Sequence, residues 1–498
     1  MRHRARLTLT TLALIAGTAF APQAQASGFQ LREQSPLSLG NAFAGISAGG
    51  GDLTSLYFNP AVMTQYDGVQ FTFGGTYVGL SAKINNASGS RTSDLTSLGF
   101  NVAPVTGAAL SPISGGSSHP NAAISAILPE FNIMYSPTQD LRVGLSVNVP
   151  FGLATEYNAN WVGRYHALKT DLKTIDIAPS LAYRVSKEFS FGVAFIARRA
   201  DAELTNGVDY GSALALKVGS GLAAAGLSPV AAPGGNSPVA NVAMGAPNAA
   251  FGIPGFATPG AWDGAAGLKG GGWGYGFKVG ATYQPSQDLR FGLAYNSAMT
   301  MTLKGDASFQ FPATMPATDL GALNAAGLKN GRGSADLSLP ATASLGFDWK
   351  TSPSFTLQGE VARTTWSKFK ELRVKFDTGA PDSVTDESWK DSTFISLGGT
   401  WKTNTPWTFR AGLAFDTSAV DDNHRTPRIP DNDRKWVSVG LSYTLSKKAT
   451  IDVGYSRLFI ADGKMNLSAA GPNQTRGSLT GTIQAEINLF GAGFRYNF

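Results

Sequence analysis

The chain has 498 residues, 43% of them hydrophobic, with 59 glycines and no cysteine. Its formal charge of +6 includes Arg2, Arg4 and Arg6; without them 37 basic residues face 34 acidic ones, and a balance of +3 gives no footing for nucleic-acid binding. The absence of cysteine excludes a disulfide scaffold and a thiolate metal site, so the fold rests on its own core or its own ladder of hydrogen bonds.

The three arginines open a leader: an apolar run follows from Leu7 to Phe20, and Ala24-Gln25-Ala26 has the small-x-small form of a cleavage site. Residues 1–26 are therefore expected to be a signal peptide, with Ser27 as the mature start. A large exported chain without cysteine fits a periplasm-facing or outer-membrane protein. Beyond the leader no run of about eighteen apolar residues remains, so no helix is expected to span a bilayer. A crossing by strands requires a closed barrel, where each backbone group pairs with a neighbouring strand.

Residues 27–68 are rich in Gly, Ala and Ser and end in "LYFNPA", where Asn59-Pro60-Ala61 reads as a turn before the first strand-like stretch. From there alternation with period two recurs. Phe189, Phe191, Val193 and Phe195 share one face, with Ser190, Gly192 and Ala194 on the other. Leu289, Phe291, Leu293 and Tyr295 repeat the pattern, as do Phe409, Ala411, Leu413 and Phe415, then Val437, Val439, Leu441 and Tyr443. About fourteen such segments fall near 70–82, 124–136, 141–151, 170–185, 188–202, 272–285, 289–304, 333–350, 354–373, 388–402, 407–418, 433–446, 449–463 and 481–498.

The connections separate this pattern from that of a soluble sandwich. Tight turns such as "SPTQD" (136–140), "SKE" (186–188), "QPSQD" (284–288) and "SKK" (446–448) take turns with long excursions, of which 83–123 and 203–271 are the largest. Short turns on one rim, long loops on the other and an even strand number describe an outer-membrane barrel. The excursion 203–271 is nearly uncharged: a short apolar helix is expected near 211–227, and Leu214, Leu216, Leu222, Leu227, Phe251 and Phe256 form either a plain loop tip or an apolar landing patch.

At the C-terminus, Phe494, Tyr496 and Phe498 suit an aromatic girdle, and the opposite parity sends Ile483, Ile487 and Leu489 into the lumen if the register is unbroken. A lumen of fourteen strands is too wide for its own side chains to fill, and residues 27–68 are long enough to be the stopper. Signals for catalysis are poor. Gly45-Ile46-Ser47-Ala48-Gly49 matches G-x-S-x-G without the strand-turn-helix context of a nucleophile elbow, and His119, His166 and His424 are scattered without metal-ligand spacing.

Several stretches in order, "SGFQLREQS" (27–35), "FNPAVMT" (58–64), "PFGLATEYN" (150–158), "TTWSKFKEL" (364–372) and "RTPRIPDNDRKWVSVGLSY" (425–443), resemble the FadL family of outer-membrane long-chain fatty-acid transporters. The resemblance implies a fourteen-stranded all-β transmembrane barrel (69–498) with an N-terminal hatch (27–68) in its lumen. It further implies uptake of hydrophobic molecules without an energy source, no cofactor, and no enzymatic activity. Asn59, Pro60 and Ala61 match the hatch motif, and Pro150, Phe151 and Gly152 match a strand-three kink that opens the wall. Phe29 matches an aromatic of the ligand pocket and Arg373 a basic residue that holds a carboxylate; Phe151, Leu153, Ile487 and Leu489 complete the expected ligand contacts. The family's second basic contact falls on Asn206, with Glu203 nearby, and Arg198 or Arg199 is the candidate to compensate. The implied partners are a long-chain fatty acid or another hydrophobic ligand, outer-membrane lipids and lipopolysaccharide, and the outer-membrane assembly machinery, with no nucleic acid. Neutral hydrophobics such as monoaromatic hydrocarbons are the alternative cargo, and a barrel hydrolase the reading from another class.

Overall fold

The computed structural model describes residues 28–91, 111–214 and 262–498; the signal peptide lies outside them, as do all but Leu214 of the landing-patch residues. Among the described residues, fourteen antiparallel strands close into one barrel. In chain order they are β1 (Val69–Arg91), β2 (Ala126–Tyr135), β3 (Leu141–Asn148, resuming as Gly152–Glu156), β4 (Lys169–Arg184), β5 (Phe189–Asp209), β6 (Asp263–Ser286) and β7 (Leu289–Asn296 and Met299–Gln310). There follow β8 (Gly331–Leu339 and Thr342–Ser352), β9 (Phe355–Thr364 and Glu371–Phe376), β10 (Ser392–Lys402), β11 (Trp407–Asp416), β12 (Arg434–Thr444), β13 (Ala449–Ile460) and β14 (Ser478–Asn497). Closure is made by β1: Phe73 lies opposite Phe131 of β2 on one side and Phe494 of β14 on the other. No described helix is long and apolar enough to cross a membrane.

Period two is realised as expected, with the large apolar face outward. Phe189, Phe191, Val193 and Phe195 are exposed while Ser190 and Ala194 between them are buried. Such a face is stable only against lipid. On β14, Phe490 and Phe498 point out and Ile483, Ile487 and Leu489 are buried inside, so the register runs unbroken to the C-terminus. The ladder outlasts the alternation: β5 and β6 stay paired from Glu203–Lys269 to Asp209–Asp263, and β1 reaches Arg91 instead of ending near residue 82. Those ends leave the apolar layer, so nothing there selects alternating residues, although backbone pairing continues.

The segment from Gly28 to Tyr66 fills the lumen. It folds as a short helix (Pro36–Leu39) and three 3-10 turns (Ile46–Ala48, Leu53–Tyr57 and Pro60–Gln65), and nearly every residue from Glu33 to Thr64 is buried. The Asn59-Pro60 corner is a cap and not a plain reversal. Asn59 Oδ1 accepts from Ala61 N (3.0 Å), and Pro60 takes the first helical position, where a missing N–H is harmless. The Asn59 amide also donates to Ser47 O (2.7 Å) within the plug and to Ala281 O (3.1 Å) of the wall. The wall admits it because Gly280 has no side chain; a Cβ there would collide with Asn59 Oδ1.

The wall is not paired strand to strand throughout: the β6–β7 ladder stops at Gly271–Lys304 and resumes at Lys278–Asn296, and another opening lies between β2 and β3. Residues Val143–Val147 of β3 pair with β2, but Gly152–Glu156 pair along their length with β4, and contact with the segment preceding β2 resumes only at the Ala123–Thr155 bridge, where Ile124 N donates to Ala154 O (3.1 Å). A window is left between Ala126–Glu130 on one side and Asn148–Gly152 on the other. Pro129 and Pro150, at its two edges, have no N–H to donate. The plug supplies partners. Leu31 N donates to Pro150 O (2.8 Å) and Gly152 N to Phe29 O (3.2 Å), flanking an antiparallel bridge between Gln30 and Phe151. The Gln34 side chain acts as a surrogate strand, donating to Val149 O (2.7 Å) and accepting from Val149 N (3.0 Å).

Two outcomes follow from these contacts. Asn59→Ala removes the cap and the wall anchor together, a loss of about 1–3 kcal/mol; it should raise ion leak through the barrel in planar bilayers above that of the unmodified protein. Gln34→Ala leaves both backbone groups of Val149 unpartnered; hydrogen exchange at Val149–Gly152 should speed up while the paired residues of β4 stay protected.

Candidate functional site: two apolar cavities and an aromatic cluster

The first residues of the plug lie against the window. Gly28 takes φ +65°, and a Cβ there would strike the Trp389 ring, so only glycine lets the chain turn so close to the indole. Phe29 is 3% exposed and stands edge-on to Trp366 (4.8 Å between centroids), Trp389 (5.7 Å), Phe151 (5.8 Å) and Phe369 (5.9 Å). Edge-to-face packing of this kind adds roughly 0.5–1.5 kcal/mol per pair beyond burial. Thr174 Oγ1 accepts from Phe151 N (2.9 Å) and donates to Phe151 O (2.7 Å). The Arg198 guanidinium lies 4.7 Å over the Phe151 ring and is held by Asp176 through two bonds of 2.6 and 2.7 Å.

An inner cavity of about 300 Å³ opens beside this cluster. Phe29, Leu31, Leu153 and Ile487 line it, as do Leu128 and Gly152 from the two edges of the window. Aliphatic and aromatic groups dominate its walls, which suits an apolar chain better than water. On the other side of the cluster an outer cavity of about 590 Å³ lies under the long loops, lined by Leu204, Leu268, Phe309, Leu372, Val374 and Phe376. Leu372 also packs on the buried hydrophobic cluster that contains these rings, as does Leu153 of the inner cavity, so that cluster stands as a partition between the two spaces. At the short-turn rim a third space of about 630 Å³ is polar, with Gln65, Arg290, Asp348, Lys402, Arg410 and Arg495 around it.

Charge in the outer cavity is unevenly matched. Asp382 pairs with Arg373 (3.1 Å) and Asp209 with Arg91 (2.9 Å). Arg428, buried, donates to Thr170 Oγ1 (3.1 Å), Thr205 O (3.2 Å) and Asn206 Oδ1 (3.3 Å). Arg476, half-buried, donates to Ser383 Oγ (3.0 Å) and Thr385 Oγ1 (3.1 Å). Burial lowers both guanidinium groups to about 10, with each still charged at neutral pH, and the charge of Arg476 depresses Arg428 further. Burial pushes the Glu387 carboxyl up to about 8 against the indole bond from Trp389 Nε1 (2.9 Å) and the nearby charges of Arg428 and Arg476.

The structure therefore gathers Phe29, Phe151 and Leu153 with Pro150 and Gly152 at the window, and Ile487 at the inner cavity. Leu489 packs elsewhere, with Leu39 and Phe43 of the plug. Arg373 sits at the opposite parity from Leu372 and Val374, half-exposed, between Glu371 (2.6 Å) and Asp382. Neither expected substitute for the missing basic contact at Asn206 reaches it: Arg198 is engaged by Asp176, and Arg199 points outward to Asp201. Arg428, from the loop before β12, is the cation bonded to Asn206, and "RTPRIP" carries no periodic signal that would have singled it out. Ser47 is buried, donating to Glu360 Oε2 (2.8 Å), while the described histidines face other partners, His119 the Tyr157 ring and His424 Asp421. Among the described residues no group of His, Cys, Asp and Glu could hold a metal.

Comparison with known proteins agrees with this architecture. The long-chain fatty acid transport protein of Escherichia coli O6:H1 is 29% identical over 506 residues, covering all of both chains. The 47 kDa outer membrane protein of Pasteurella multocida is 31% identical over 493 residues, 99% of this chain and 98% of the relative. Among solved structures, a Pseudomonas aeruginosa FadL homologue superposes with a TM-score of 0.77 at 24% identity over 95% of this chain and all of that one. The Ralstonia pickettii toluene transporter TbuX gives 0.58 at 18% identity, over 94% of this chain and all of that one. The profile of the outer membrane protein transport proteins (OMPP1/FadL/TodX) matches residues 17–498, and the chain belongs to that family, as a β-barrel of the Gram-negative outer membrane.

Proposed function

We propose that this protein takes up long-chain fatty acids by passive, ligand-gated diffusion, with cargo passing from the outer cavity through the aromatic partition to the inner cavity and out through the window between β2 and β3. One observation carries the reading. The interruption of the wall between β2 and β3 coincides with the inner apolar cavity, and the residues that cover it, Phe29 to Gln34, belong to the plug. A ligand that displaces Phe29 thereby loosens the cover. Sideways release spares each methylene about 0.8 kcal/mol of exposure to periplasmic water, whereas the axial route ends in the polar space around Arg290 and Arg495.

In this reading residues 27–68 are the hatch, with Asn59, Pro60 and Ala61 as its wall anchor, and Phe29, Phe151, Leu153 and Ile487 touch the cargo. Bilayer lipid, with lipopolysaccharide in its outer leaflet, is the medium that receives it. Uptake of neutral monoaromatic hydrocarbons is the second reading, supported by the structural likeness to toluene transporters. The full-length similarity to long-chain fatty acid transport proteins favours the first.

Gln30 and Phe151 face each other as a non-hydrogen-bonded antiparallel pair, a spacing that accepts a disulfide, and the chain has no other cysteine. The double variant Gln30→Cys/Phe151→Cys should lose uptake of radiolabelled oleate into proteoliposomes when oxidised and regain it on reduction. Equal uptake in both states contradicts a moving cover, and competition by toluene against oleate in the unmodified protein separates the two cargo readings.

A further inference from the structure

The ladder between β6 and β7 is broken at the depth of the lipid. β6 pairs with β5 from Asp263 to Tyr283, but between Gly271–Lys304 and Lys278–Asn296 it has no register with β7. β6 descends from the long-loop rim to the tight turn at 284–288, and its outward neighbours fix the height of the break. Below it Val279 and Tyr283 are exposed, along it Trp273, Tyr275 and Phe277 are, and above it the exposed Lys304 and the Arg199–Asp201 pair end the apolar band. The break therefore lies on the outer-leaflet side.

Here β6 reads Gly272-Trp273-Gly274-Tyr275-Gly276, with the aromatics toward lipid and the glycines leaving the inner side bare. β7 crowds into that space. Thr302 O takes the place that a Cβ on Gly272 would need, and a Cβ on Gly274 would lie 2.8 Å from Met299 Sδ and 2.9 Å from Met301 Cε. Two thioether side chains laid on glycine, 5% and 2% exposed, thus shut the seam where the ladder does not. The hydroxyl beside Gly276, that of Ser297, is used at the lower end, accepting from Phe277 N (3.0 Å).

We propose that this seam is a second side opening, an entrance by which neutral hydrocarbons dissolved in the outer leaflet reach the partition without passing the long loops. Methionine is unbranched, with three rotatable bonds, and adapts where a branched side chain would not. No ladder bond has to break for Met299 and Met301 to swing aside. Behind them the seam ends at the partition: Met299, Met301 and Leu303 belong to the buried cluster of Phe29, Trp366 and Trp389. The walls select the cargo. Glycine, methionine and leucine offer neither charge nor a side-chain hydrogen bond, so a carboxylate would be desolvated with nothing to receive it, whereas an alkane or alkylbenzene gives up no bond on entering. The uptake reading above gives the entrance its use, yet the two openings are separate. Plug main chain covers the one between β2 and β3, and side chains of the wall close this one, so each can be blocked alone.

The test is photolabelling from the lipid phase. A diazirine-bearing alkane without a head group is dissolved in liposomes that hold the full-length protein and irradiated, and its adducts are mapped by mass spectrometry. Adducts on the buried Met299, Met301 and Leu303 are expected. The seam is then locked: a Cβ on Gly274 would lie 3.1 Å from Met299 Cγ, the separation a disulfide requires between one Cβ and the partner sulfur, so Gly274→Cys/Met299→Cys can be oxidised in place. Oxidation should abolish the adducts on Met301 and Leu303 and reduction restore them, while oxidised Gln30→Cys/Phe151→Cys should keep them. Absence of these adducts in the unmodified protein overturns the entrance, as does labelling that survives the 274–299 lock or disappears with the 30–151 lock. Should the first pair fail to fold, Met301→Ile, stiff at χ1, should cut labelling of Leu303, and equal labelling overturns the proposal. Absence of oleate uptake by the unmodified protein would count against the function itself; uptake with Met301 and Leu303 unlabelled counts against this entrance alone.

Discussion

In a bilayer the backbone has no water to turn to, and each unmade hydrogen bond at that depth is penalised by several kcal/mol. A closed ladder meets this demand over most of the barrel but not along Asn148–Gly152, where β2 and β3 part. There the partners come from the plug: the main chain of Phe29 and Leu31 and the amide of Gln34 take the place of a strand. Covering the gap and placing the N-terminus are one set of contacts, so the position of the plug and the integrity of the wall cannot change independently.

The same economy explains the arrangement of polarity. Lumen-facing positions that meet the plug are small or hydrogen-bonded to it, as Gly280 receives Asn59 and Glu360 receives Ser47. Positions that meet the cavities are aliphatic or aromatic. The rim toward the periplasm is polar. An apolar molecule inside the barrel therefore meets favourable surface upward and sideways, and unfavourable surface below.

Much of the wall was legible because the bilayer imposes period two on whatever crosses it: Phe189 to Phe195 and Val437 to Tyr443 alternate for that reason, and the tight turns between hairpins mark one rim. The plug could be placed from its small residues and the Asn59-Pro60 corner, though not the cap that Asn59 makes or its bond to Ala281. The strand ends beyond the membrane, such as Glu203–Asp209, were missed because no solvent boundary patterns them. Long-range polar contacts left no local trace. Gln34 and Val149 are separated by 115 positions and Arg428 and Asn206 by 222, and nothing in either neighbourhood announces the other. Parity likewise hides the surroundings of Arg373, since which carboxylates flank it depends on the folding of the 371–386 hairpin.

The central claim is that cargo leaves through the side of the barrel. A photoactivatable fatty acid, irradiated during uptake into proteoliposomes and followed by mass-spectrometric mapping of its adducts, tests it most directly. Adducts on Ala126, Ile127, Leu128 and Leu153, at the window and the inner cavity behind it, are the predicted result. Adducts concentrated instead on Gln65, Arg290 and Arg495, at the polar rim below the plug, would contradict the account.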